Sequence, residues 1–117
     1  AEAEYFGAMM AARELLFTRD LLFDLGVKFN APTVIYSDSK SAVEMAFDPI
    51  AFKQTKHIMR AAEFLRDLVA REVLTLRHVK GTVMIADLLT KAVARAIFHS
   101  LMRLLDAYSS TGRVCPE

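Results

Sequence analysis

The 117-residue chain is long enough for one small domain and too short for two, so its motifs are expected to share one core. Fifteen Lys and Arg face fourteen Asp and Glu, a net charge of +1 with the three histidines neutral, which excludes recruitment of nucleic acid by an overall field and leaves only a local basic patch. A hydrophobic share of 54% with only four Gly and three Pro describes a compact, helix-rich chain and excludes disorder and collagen.

The longest stretch without a charged side chain, Phe29 to Ser37, is nine residues, whereas a membrane-spanning helix needs about 20. No transmembrane helix is expected. The N-terminus reads Ala-Glu-Ala-Glu, with acids where a secretory leader carries basic residues, which suggests an intracellular chain. Cys115 is the lone cysteine, so no internal disulfide or thiolate metal cluster can form.

From Glu4 to Leu25, Tyr5, Met9, Ala12, Leu16, Leu22 and Leu25 recur at helical spacing, predicting about six turns that Gly26 ends. Thr33-Val34-Ile35-Tyr36 is β-branched and aromatic, a buried strand that stops at Asp38-Ser39, where a brief helix from Lys40 to Phe47 is capped. Asp48-Pro49 breaks that helix, and a loop leads to Thr55. Next, Ile58, Ala61, Ala62, Leu65, Leu68 and Val69 form a helical stripe to Ala70, with Arg60, Glu63, Asp67 and Arg71 opposite. Val73 to Val79 alternates as a second strand, placing Leu74, Leu76 and His78 on one face, with His78 expected as a hydrogen-bonded core residue. After Gly81, Met84, Ile85, Leu88, Leu89, Ala92, Val93, Ala96 and Ile97 open another stripe, and the drift toward Phe98, Leu101, Met102 and Leu105 calls for a second helix or a bend near Ala94. His99 is expected on the helix surface, and the six methionines as packing. Residues 1–108 form the predicted domain and 109–117 a polar tail.

The order helix, strand, helix, helix, strand, helix implies two parallel strands joined by a right-handed crossover, with both C-terminal ends on one side. Asp38 leaves the first strand at that rim, Asp87 opens the helix after the second, and the first helix returns its N-terminus, with Glu4, toward the same place. Crowded carboxylates repel unless a hard cation neutralises them, and an all-oxygen set selects Mg²⁺ or Mn²⁺. Two such ions about 4 Å apart would perform phosphoryl transfer. Each acid has a structural reading too: Asp38 as a helix cap, Asp87 and Glu4 as partners of helix dipoles.

Four collinear strings, Ala3-Glu4-Tyr5-Phe6-Gly7-Ala8, Ile35-Tyr36-Ser37-Asp38-Ser39-Lys40-Ser41-Ala42, Thr55-Lys56-His57-Ile58 and Ala86-Asp87-Leu88-Leu89-Thr90-Lys91, resemble the ribonuclease H region closing the polyprotein of copia-type retrotransposons. The resemblance covers nearly the whole chain. It implies a partial ribonuclease H-like α/β fold in which Glu4, Asp38 and Asp87 are catalytic, metal-binding carboxylates, Mg²⁺ or Mn²⁺ the cofactor and an RNA–DNA hybrid the substrate. In that family three strands precede the first helix, and the first of them carries a further Asp that bridges the metals. Here the chain begins at the helix, so those strands and that Asp are expected to be absent and the isolated chain inactive. The family's prolines after the Thr-Lys string are Ala92 and Ala94 here, so the last helix is expected to run on unbroken, and no histidine occupies the loop from Lys80 to Ile85 where cellular ribonucleases H place one.

A strand from Thr33 to Ser37 without its neighbour would leave an open edge, which another polypeptide is expected to cover. Lys53, Lys56, His57 and Arg60 share one face of the third helix, either gripping a phosphate backbone or forming a solvated basic face. Two functions follow. One is a retroelement-derived nuclease domain; the other is a non-catalytic accessory or scaffold subunit of a larger assembly.

Overall fold

The computed structural model describes residues 2–48 and 56–111, with side chains to residue 107. Residues 1–78 and 79–117 form two compact units. The first carries helix α1 (Glu2–Asp24), strand β1 (Thr33–Ser37), helices α2 (Lys40–Phe47) and α3 (Lys56–Ala70), and strand β2 (Leu74–His78). The chain is therefore mixed α/β, mostly helical, with two strands among the described residues.

The strands pair in parallel, Thr33 opposite Leu74 through Ser37 opposite His78. Parallel pairing puts their C-terminal ends on one rim, as the element order requires. Among the described residues β1 has β2 as its single ladder neighbour, which leaves its other edge open, and all five of its residues are half-buried.

The core of this unit is built largely from small residues. Tyr5, Ala8 and Ala12 of α1 meet Ile58, Ala62, Leu65 and Leu68 of α3, with Ala42, Met45 and Ala46 of α2 and Leu74 and Leu76 of β2 completing the cluster. Alanines on facing helices let backbones approach closely, so the N-terminal half of α1 packs on α3 around the larger Met45 and Leu65. No polar or charged side chain is buried among the described residues.

Helix α1 departs from the predicted stripe. Ala8 rather than Met9 joins Tyr5 and Ala12 in the core, and Leu25 is 73% exposed because the helix has already ended. Gly26, at φ +93°, turns the chain out: the Val27 N–H donates to the Leu22 carbonyl (2.9 Å) and the Gly26 N–H to Phe23 (2.9 Å), a Schellman closure. Met10, Phe17 and Leu21 form a second apolar stripe on the opposite, exposed side of α1. Of the methionines expected in packing, Met45 is fully buried while Met10 and Met59 are exposed, since both lie on outward helix faces.

Helix α3 ends in the same way without glycine. Glu72 adopts φ +57°, and Glu72 and Val73 donate to the carbonyls of Val69 and Leu68. A Cβ in this region costs about 1–2 kcal/mol, so the closure imposes local strain.

In the second unit a 3₁₀ turn at Gly81–Val83 precedes helices α4 (Asp87–Thr90) and α5 (Arg95–Thr111), and α5 packs on the 3₁₀ turn. The last helix does not run on unbroken: it is two, as the drift of the apolar stripe near Ala94 called for. Lys91 is extended (φ −138°, ψ 151°) and α5 restarts at Arg95, so alanines where the family has prolines do not suffice to bridge the gap. Helix α5 continues through residue 111. No helix among the described residues is long and apolar enough to cross a membrane.

Candidate active site

Three serines flank Asp38 at alternate positions, and their hydroxyls shape the loop that carries it. Ser37 Oγ accepts from the Ser39 N–H (3.2 Å), bending the chain out of β1. Ser39, extended at φ −90° and ψ 107°, caps α2 by accepting from the Ala42 N–H (3.2 Å). The cap function expected of the Asp38-Ser39 pair therefore falls to the serine. Its carboxylate neighbour is left exposed to solvent.

Because Ser37 pairs with His78, the carbonyl of Asp38 lies beside the imidazole, and His78 Nε2–H donates to it at 3.2 Å. An oxygen acceptor requires the proton on Nε2. His78 was expected in the core; it is exposed, because β2 ends there and only Leu74 and Leu76 reach the buried layer. Its expected hydrogen bond exists, at the rim.

Glu4 arrives from the other end of the sequence. Tyr5 is 2% exposed and anchors the first turn of α1, which holds the adjacent Glu4 on the surface. Ser39 Oγ donates to Glu4 Oε2 at 3.4 Å, across 35 residues of sequence, and lies 3.1 Å from Ser41 Oγ. With its one proton given to Glu4, Ser39 accepts from both Ala42 and Ser41. The predicted return of the α1 N-terminus to the end of β1 is thus realised through this serine, which links Glu4 as well as capping α2. The alternation Ser37, Ser39, Ser41 around Asp38 was its visible signal.

Asp87 belongs to the second unit and opens α4, whose N-terminal Ala86 makes no side-chain cap. Its side chain is 14% exposed and pairs with Lys91 Nζ at 3.3 Å, one helical turn on. The acid precedes the base, the favourable order for such a pair. Lys91 thus supplies a positive partner for the most shielded of the three carboxylates. Among the described residues no group of three or more His, Cys, Asp and Glu side chains stands ready to hold a metal ion.

Of the basic patch, Lys56, His57 and Arg60 are exposed on the first two turns of α3, and Lys53 lies outside the described residues. His99 is exposed on α5 as expected.

Comparison with known proteins adds a lineage. Over 102 residues, 87% of its length, the chain is 33% identical to the retrovirus-related Pol polyprotein from transposon RE2 of Arabidopsis thaliana. It is 32% identical over 99 residues to that of transposon RE1 from the same plant, and 30% identical over 109 residues, 93% of the chain, to that of transposon TNT 1-94 of Nicotiana tabacum. Its homologues are retrovirus-related Pol polyproteins of plant transposons. The chain spans 7 to 8% of the length of these curated relatives. No family model matches it, and no solved structure does. A match over 93% of the chain reaches both units and takes in Asp38 and Asp87.

Proposed function

We propose that the chain is a retroelement-derived ribonuclease H-like domain of the copia type, whose ancestral activity is two-metal hydrolysis of the RNA strand of an RNA–DNA hybrid. The observation that carries this reading is the hydrogen bond from Ser39 to Glu4, which ties the first turn of α1 to the loop of Asp38. Glu4 and Asp38, with Asp87, would hold Mg²⁺ or Mn²⁺. Such ions activate a water for in-line attack on the phosphorus and stabilise the departing 3′ oxygen. A divalent ion would displace Lys91 as the counter-charge of Asp87. The exposed cations Lys56 and Arg60, with His57, would contact the phosphate backbone.

Three carboxylates do not complete a two-metal site. In this reading the open edge of β1 would take a further strand from another polypeptide segment, and an Asp on that strand would join Asp38 in holding the ions. The 117 residues alone then leave a hybrid uncut. Supplying a β-hairpin that carries an Asp should bring Mg²⁺-dependent cleavage, lost in Asp87→Asn. Cleavage by the 117 residues alone, lost in Asp87→Asn, would remove the added strand from the account; cleavage indifferent to Asp87 would remove the site. Failure of any supplied strand to bring cleavage would favour a non-catalytic subunit of a larger assembly.

A further inference from the structure

At the end of the first unit away from Asp38, α1, the connection into β1 and the turn from α3 into β2 line an open groove of about 520 Å³. This lies within the roughly 300–1,000 Å³ of small-molecule sites. Its wall carries three cations, Arg19, Lys28 and Arg71, against one acid, Asp20, in a chain whose net charge is only +1. That local excess selects an anion.

Aromatic surface lies beside the charge. Arg19 is held in place: its guanidinium lies 4.2 Å from the centroid of the Phe29 ring, and Nη1 donates to Thr33 Oγ1 at 2.6 Å. A cation fixed over a ring cannot swing freely, so it forms a preorganised positive floor. Phe23, by contrast, lines the same groove with 68% of the residue's surface exposed, a cost in water that a planar partner would relieve. Lys28 and Arg71 are exposed, Arg71 within 3.3 Å of Asp67. The Asn30 amide and the Asp20 carboxylate offer donor and acceptor groups of the kind that read a base edge or a sugar hydroxyl.

We propose that this groove binds a nucleotide unit, its base stacked on Phe23 and its phosphate held by Lys28 and Arg71 over the Arg19 floor. The combination of anion, planar ring and mixed donor–acceptor edge is nucleotide chemistry, whether the unit is free or lies within a single strand. The inference is independent of the metal-dependent reading of the opposite rim.

The test is an NMR titration of the whole chain in excess EDTA with deoxyadenosine 5′-monophosphate, inorganic phosphate, deoxyadenosine, phosphotyrosine and a 5′-phosphorylated oligothymidylate. Without divalent ions, failure at the carboxylate rim leaves this result untouched. The mononucleotide should shift the amides of Phe23, Lys28 to Asn30 and Arg71, and bind about tenfold or more tighter than phosphate or deoxyadenosine, because ring and anion each contribute. Phe23→Ala should weaken it about fivefold or more, the lower end of base–aromatic stacking. Lys28→Gln with Arg71→Gln should weaken it at least as much, and all three side chains are exposed, so thermal unfolding should be unchanged. A strand that binds tighter than the mononucleotide identifies the source as nucleic acid, the reverse order as free nucleotide. Shifts confined to other residues, equal affinity for phosphate, or tighter binding of phosphotyrosine would overturn the proposal.

Discussion

The two ends of the β1–β2 pair differ in chemistry although they share one core. At the C-terminal end of the strands lie Glu4, Asp38 and three serines; at the N-terminal end, Arg19, Lys28 and Arg71 stand with two phenylalanines. A net charge of +1 conceals this separation. Parallel strands make it achievable, because every loop that leaves a strand emerges at one rim and every loop that enters emerges at the other. Composition therefore excluded a global electrostatic field and said nothing against two local ones.

The largest expected effect tests whether the two rims stand on one support. Leu65 is fully buried on α3 at the centre of the cluster that joins α1, α2 and β2. Leu65→Ala should cost about 2–5 kcal/mol in urea unfolding, with both rims lost in the same transition. A loss under about 1 kcal/mol, or a two-step transition separating them, would show that the rims are independent.

A smaller effect should be confined to the acidic rim. Asp38→Asn is expected to weaken Mn²⁺ binding by about tenfold, roughly 1.4 kcal/mol, in calorimetric titration, while Lys28→Gln leaves it unchanged. Equal affinity in Asp38→Asn and the parent would remove Asp38 from the metal site.

Smaller again, Ser39→Ala removes both the cap of α2 and the link to Glu4. The expected loss is about 0.5–2 kcal/mol in thermal unfolding, the value of an N-cap, accompanied by faster exchange of the Ala42 amide. An unchanged midpoint would mean that the serine cluster holds neither helix.

The last effect has the opposite sign and lies at the basic rim. Glu72→Gly relieves a left-handed Cβ worth about 1–2 kcal/mol while adding about 0.5–1 kcal/mol of unfolded-chain freedom, so a gain of about 0.5–1 kcal/mol is expected. Destabilisation would indicate that the Glu72 side chain contributes more than its backbone costs.

Much of this was legible in the residues. Strand β1 stops where Thr33-Val34-Ile35-Tyr36 meets polar residues, α3 keeps the buried face that its Ile58-to-Leu68 spacing specifies, and the returning Glu4 followed from connection lengths alone. Other features were illegible for physical reasons. Helix α1 has apolar stripes on two sides, so periodicity identified a helix without ranking its faces, and the burial of Ala8 over Met9 is decided by how closely α3 approaches. The break between α4 and α5 was legible in part: the drifting stripe called for a second helix or a bend near Ala94, and α5 starts at Arg95, whereas the extended backbone at Lys91 has no proline to announce it. His78 alternates correctly with Leu76 yet lies past the last covered position of its strand. The groove at the basic rim combines residues from three segments and has no signature in any one of them.

The central proposal is that Glu4, Asp38 and Asp87 would serve one metal site. Paramagnetic broadening by substoichiometric Mn²⁺ tests it most directly, since the effect falls steeply with distance and reads every amide at once. The account predicts that the amides of Glu4, Asp38, Ser39 and Asp87 broaden together at the lowest Mn²⁺ concentration, and that Asp38→Asn abolishes the broadening at Asp87 as well as at Glu4. Broadening at Glu4 and Asp38 that leaves Asp87 sharp, or at Asp87 alone, would contradict it.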